Sequence, residues 1–411
     1  MPGGGGAWAR GQAVPTGGDN PAFNNRTGGR GGNNQRREFR AKPTEYTAIS
    51  HNMLPGAVSE FLRQFRAAMR ANRMGEMRRL YLGEFHALTK AYFRDQPWPT
   101  ADEVRLLLTR NGGETRDGGS REELDVFLTL YAELYYRHLY QALRPTLAAR
   151  RASWHNYRAL YNMFIDADSA LSRSGLQLPI EWLYDMLDEF VYQFQEWCQF
   201  RARGDRLTEE DVAALGAKDC VGVWNVKNVN GYLEAIADAS QIADALKRGE
   251  LDRPGMLHVL GYFALVSAAR VHVLAGDPGA ALQALGPVDL RPNKRGIFAR
   301  VTACHITLHY YLGFAYFGAQ RYVDAIKTLS SIVLYLHSTN KQHHTHSYAY
   351  EQVRFSTTTS CRQPLLACLL ACSRSEEALL CWGRHVTTDF ITQLIVLAGS
   401  QTPTRTVRTT I

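Results

Sequence analysis

The feature that most constrains this chain is its hydrophobic period. From about residue 54 to residue 350 the apolar positions recur at three and four residues, almost without interruption, while alternation bounded by turn residues is scarce. Phe61, Leu62, Phe65 and Met69 fall on one helical face, and Leu124, Phe127, Leu128, Tyr131, Leu134, Tyr135 and His138 on another. A chain written this way can only be all-α. The breaks support the same reading: DQPWPT (95–100) sets two prolines around Trp98, and TRNGGETRDGGS (109–120) is a glycine-rich loop.

The segment LPIEWLYDMLDEFVYQFQEWCQF (178–200) is the clearest amphipathic element. Pro179 suits a first helical position. Trp182, Leu183, Met186, Leu187, Phe190, Val191, Phe194, Trp197, Cys198 and Phe200 cover about half the circumference. Asp185, Asp188, Glu189, Glu196 and Gln199 lie opposite. No histidine joins those acids at ligand spacing, so they read as a solvated face rather than a metal or acid–base cluster.

YYLGFAYFGAQRYVDAIKTLSSIVLY (310–335) is almost free of chemistry-bearing residues. It follows a tetratricopeptide-like pattern: Leu312 and Gly313 with Tyr316 in a first helix, Tyr322 after a turn, then Ala325 and Leu329 in a second. Gly313 and Ala325 are small where two helices approach closely. The same pattern stands 44 residues earlier, in ALVSAARVHVLAGDPGAALQALGPV (264–288). Here Ala268 and Ala269 take the Leu-Gly places, His272 the Tyr place, and Gly276-Asp277-Pro278-Gly279 the turn; Ala281 and Leu285 follow. Helix pairs of this kind bury their apolar faces by stacking on one another. The fold expected is therefore a helical-repeat solenoid, with residues 43–250 as an N-terminal helical domain and 251–353 as the repeats.

Residues 1–42 are rich in Gly, Asn and Arg and read as a disordered arm. They carry five of the eight net positive charges, residues 356–411 two more, and residues 43–355 only one. The body offers no composition-level argument for a basic groove. Arg30, Arg36, Arg37 and Arg40 in the arm are candidate RNA contacts. Only eight of the 47 basic residues are lysine, so arginine is favoured everywhere and those four are not distinctive.

No apolar run approaches the roughly 20 residues a bilayer needs, and the N-terminus lacks a secretory h-region. Seven irregularly spaced cysteines point away from a disulfide framework and toward a reducing compartment, cytoplasm or nucleus. The sequence holds no phosphate-binding glycine loop after a strand, no GxSxG, no HExxH and no paired CxxC. Two clusters could bind a metal: His337, His343, His344 and His346, and Cys361, Cys368, Cys372, Cys381 and His385. Neither matches a tight ligand spacing, and the expectation is no cofactor and no small-molecule substrate.

Several long strings resemble subunit L of eukaryotic translation initiation factor 3. They are LYAELYYRHLY (130–140), LPIEWLYDMLDEFVYQFQEWCQFR (178–201), VWNVKNVNGYL (223–233), LHVLGYFALVSAARVHVLAGDPGAAL (257–282) and YYLGFAYFGAQRYVDAI (310–326). The resemblance runs from about residue 45 to 353. It implies a non-catalytic scaffold subunit whose partners are the other subunits of the factor and the small ribosomal subunit. The complex it implies recruits messenger RNA and initiator methionyl-tRNA into the 43S preinitiation complex. Family members continue into a PCI domain, helices ending in a winged helix. Here residues 354–411 read instead as a divergent Ser/Thr-rich, cysteine-bearing tail, so the expectation is that the PCI domain is missing, which leaves incorporation into the complex an open question. Two other readings stay open: an RNA-binding protein acting through the arm and a helical surface, and a metalloenzyme using the His or Cys cluster.

Overall fold

The computed structural model describes residues 54–109, 115–202, 209–216, 220, 222–249, 254–288 and 296–342. These are helical, and among the described residues the only β pairing is an isolated bridge between Thr109 and Thr115. The protein is all-α. Two compact units divide the chain. One takes residues 54–177 and 195–224; the other takes 178–194 and the residues from Asn225 onward.

In the first unit, α1 (Gly56–Arg70) buries Val58, Phe61, Leu62, Phe65 and Met69 along one stripe. α2 (Met74–Arg79) runs through a π-helical turn at Leu80–Glu84 into α3 (Phe85–Tyr92). The extra residue of the π turn goes with an inward Tyr81, 1% exposed. The proline-flanked Trp98 is equally buried, with ring centroids 4.8 Å from Phe85 and 4.4 Å from Phe93. Its indole N–H donates to Thr89 Oγ1 at 2.9 Å. A stop in the helical pattern thus becomes a core plug.

Capping boxes start the next two helices. Thr100 and Glu103 close the first turn of α4 (Ala101–Leu108), and Ser120 and Glu123 that of α5 (Arg121–Ala142). Thr146 caps α6 (Leu147–Ile165) through the Ala149 N–H. α7 (Ala170–Ser174) ends on Gly175 at φ 63°, where a side chain would be strained. Asn72 clamps that end, donating to the Gly175 carbonyl at 3.2 Å and accepting from the Gln177 N–H at 2.9 Å.

Helix α8 (Ile180–Ala202) gives residues 180–194 to the second unit and 195–202 to the first, which also holds α9 (Glu209–Gly216). In the second unit follow α10 (Val226–Ser240), α11 (Ile242–Arg248), α12 (Met256–Leu274), α13 (Pro278–Ala284), α14 (Ile297–Arg300), α15 (Thr302–Gly318) and α16 (Tyr322–Gln342). α12 is its centre, packed by α10, α13 and α15. By length and composition alone α12 is apolar enough to cross a membrane, which the sequence pattern did not lead one to expect, but it is mostly buried inside this unit. A Cβ at Gly261 would overlap Ser240 Oγ of α10, so the absence of a side chain sets how closely those helices approach.

The expected four-residue turn before α13 is shorter. Gly276 takes φ 81° and Asp277 caps the helix through the Ala280 N–H at 2.9 Å, while Pro278 and Gly279 already lie in its first turn.

Candidate functional site

The residues singled out for helix pairing sit where α12 to α16 meet. Leu312, Ala325, Leu329, Ala269 and Ala281 are 3% exposed or less. A Cβ on Gly313 would come within 2.6 Å of the Leu329 Cδ2 and Cγ atoms, so α15 and α16 touch there. Tyr316 and Tyr322 are half-buried and pack against Ala325 and Ile326, and the Arg321 guanidinium lies 4.6 Å from the Tyr316 ring centroid. Gly318 lies against Pro278 in the same manner, at 3.1 Å for an added Cβ. Arg30, Arg36, Arg37 and Arg40 fall outside the described residues, as do the Cys361–His385 cluster, His343, His344, His346 and the side chain of His337. Among the described residues no three His, Cys, Asp or Glu side chains converge as a metal site would require.

One expectation is overturned. Asp185, Asp188 and Glu189 are not a solvated face: they are 7%, 7% and 2% exposed. The apolar half of α8 did not leave the other half to water, because burial extends to both faces of the helix. Asp188 has the partner that makes such burial tolerable. Its Oδ1 accepts from Arg270 Nη1 of α12 at 2.7 Å and from the Tyr184 hydroxyl at 3.4 Å. Tyr184 in turn meets Thr307 Oγ1 of α15 at 2.7 Å, and Arg270 also bonds Tyr311 of α15, lying 5.6 Å from that ring's centroid. Three helices are tied by one connected set of polar atoms.

The electrostatics fit a tie rather than a reaction centre. Burial works against the Arg270 charge, yet Tyr311, Asp188 and Tyr184 more than offset it, and its pKa rises. Burial pushes the Tyr184 and Tyr311 phenols up, so both stay protonated, Tyr184 donating to Asp188 and Tyr311 accepting from Arg270. Burial and then Asp188 push the Cys304 thiol well up, which removes it as a nucleophile at neutral pH.

The first unit has its own version. Glu133, fully buried, accepts from Arg137 Nη2 at 2.6 Å and Nε at 3.0 Å, and from the Tyr157 hydroxyl at 3.4 Å; Arg137 also donates to the Tyr81 hydroxyl. His138, next along, donates Nε2–H to the Phe93 carbonyl at 2.7 Å, and burial lowers its pKa to about 4. The guanidinium of Arg150 is held between Tyr140 and Phe200, at 5.3 and 4.7 Å from their ring centroids. In the second unit His305 and His309 stack at 4.5 Å between Phe298 and Tyr335. Burial, then His309, lowers the His305 pKa to about 4.

Sequence reasoning missed all of these. Glu133 and Arg137 did carry a signal, an acid four residues before a base on an otherwise apolar helix. Asp188 and Arg270 carried none beyond a lone arginine in the apolar run VSAARVHVL.

The fold and these groups define a class: a helical packing protein whose interior charges are consumed in holding helix to helix. The family described as RNA polymerase I-associated factor PAF67 matches residues 149–380, more than half of the chain. Relatives named eukaryotic translation initiation factor 3 subunit L are similar along most of it. The one from Nematostella vectensis is 34% identical over 315 residues, covering 74% of this chain and 56% of its own length. That of Mycosarcoma maydis is 32% identical, covering 79% and 47%, and that of Danio rerio 35%, covering 67% and 46%. The chain belongs to this PAF67 family, that of translation initiation factor 3 subunit L. It spans about half the length of the curated relatives it matches. The family match also takes in residues 354–380, the first part of the segment read above as a divergent tail.

Proposed function

We propose that this protein is a non-catalytic scaffold subunit of translation initiation factor 3. It acts in the cytoplasm, with the other subunits and the small ribosomal subunit as partners, and supports recruitment of messenger RNA and initiator methionyl-tRNA. Beside the family membership, one observation carries the reading: the buried ionisable side chains are paired with each other, Glu133 with Arg137 along α5 and Asp188 with Arg270 between α8 and α12. Groups so engaged hold shape; they are not poised for proton transfer to a substrate.

Affinity purification of the tagged chain, expressed with the subunits of its own species, tests the proposal. Recovery of those subunits in constant ratio is the expected result. A folded chain that elutes alone would overturn it.

A further inference from the structure

Among the described residues, Asn72, Trp224, Gln241 and Gln320 are the non-glycine residues in the left-handed backbone region, at φ 49°, 47°, 51° and 61°. Asn72, Gln241 and Gln320 are polar, exposed and follow the last turn of α1, α10 and α15, where that conformation commonly ends a helix. Trp224 is different. It is bulky, 1% exposed, and stands two residues before α10 begins. With Gly222 at φ 89° it gives two left-handed residues in three. For a large side chain such a backbone is unfavourable, and it persists only where the surroundings enforce it. Here α6, in the same unit, does the enforcing. The Trp224 ring lies 5.1 Å from Trp154 and 5.9 Å from Tyr157 between centroids, and its indole N–H donates to the Arg150 carbonyl at 3.0 Å.

We propose that Gly222–Trp224 is a releasable strap, shut by its indole and opposed by its own backbone, which opens locally and uncovers a slot on α6 fitted to an indole. Strain at Trp224 is relieved when the strap lifts, so opening here costs less than at an unstrained turn of equal burial. The Arg150 carbonyl lies inside α6 and keeps its helical donor when the indole leaves, so opening strands no acceptor. The slot walls stay in place meanwhile. Trp154 and Tyr157 are buried on α6, the Tyr157 hydroxyl is held by Glu133 at 3.4 Å, and the Arg150 guanidinium lies between Tyr140 and Phe200. Two aromatic walls and one carbonyl acceptor suit an indole, which stacks through its ring and donates through its N–H. Trp224 itself is the occupant, which makes the strap an internal latch. The latch goes beyond the subunit role proposed above and does not depend on it.

The test is deuterium exchange of the Trp224 indole proton, followed by NMR on the full chain from zero to low urea. The resonance is assigned by its loss in Trp224→Phe. Local opening predicts exchange roughly a hundredfold faster than that of the α6 core amides, at a rate nearly independent of urea because little surface is exposed. Exchange as slow as those amides, with the same urea dependence, would overturn the strap, since only global unfolding would then free the indole. The slot is tested in Trp224→Gly, where glycine takes the left-handed backbone without strain. Free indole should raise the urea midpoint of that variant in a saturable way, and naphthalene, which has no donor, should raise it less. A folded Trp224→Gly chain that indole leaves unchanged would overturn the slot.

Discussion

Arg270 is the residue on which the second unit turns. It stands alone as a charge in the apolar middle of α12, and it is 4% exposed. Its sequence neighbours give no reason for it; the reason is Asp188, 82 positions earlier, which only the fold brings within 2.7 Å. Removing one member leaves the other buried and uncompensated. Arg270→Met should therefore cost about 3–5 kcal/mol, read as a lower denaturant midpoint. Replacing both, as Asp188→Leu with Arg270→Met, should recover most of that loss, because an apolar pair needs no solvation. A double variant as unstable as the sum of its parts would show that the two side chains act separately. Here the sequence was legible only in half: the acids of α8 were visible, but periodicity assigns faces and cannot count how many neighbours cover them.

At the scale of elements much more could be read. The stripe Phe61, Leu62, Phe65 and Met69 is buried as the period requires. The capping boxes Thr100-x-x-Glu103 and Ser120-x-x-Glu123 that start α4 and α5 follow a local signature that the break and loop readings passed over. Removing the cap with Thr100→Ala should destabilise by about 1 kcal/mol. The approach of α15 to α16 at Gly313 is a sharper case. A valine there must displace Leu329, itself fully buried, so Gly313→Val should lower stability by about 1–3 kcal/mol despite the better helix propensity of the new residue. Chemical denaturation decides; a variant as stable as the parent would mean the two helices part easily. The π turn at Leu80–Glu84 and the inward Trp98 were not legible. Each depends on what the rest of the unit offers a displaced side chain, which no local window contains.

For the molecule as a whole, histidines with lowered pKa values, one buried and two half-buried, contribute to the pH response. His86, His138 and His305 have folded pKa values lowered to about 4, in each case chiefly by burial. In the unfolded chain they take up protons near pH 6.5. Between those limits the unfolded state binds more protons, so stability should be complete above about pH 6.5 and fall steadily toward pH 4. Urea midpoints at pH 7.5, 6 and 5 should decline in that order, and a flat profile would show that these rings are reached by water. The family itself was visible in long strings such as 178–201 and 310–326, because packing proteins spend distinctive aromatic and small residues on every contact.

The link between interior packing and assembly is tested most directly by quantifying the initiation factor subunits that co-purify with the intact chain and with Arg270→Met. The intact chain should recover them in fixed proportion, and the variant should lose them in step with its unfolded fraction. A folded parent that recovers none, or a variant that melts yet recovers them all, would contradict the account.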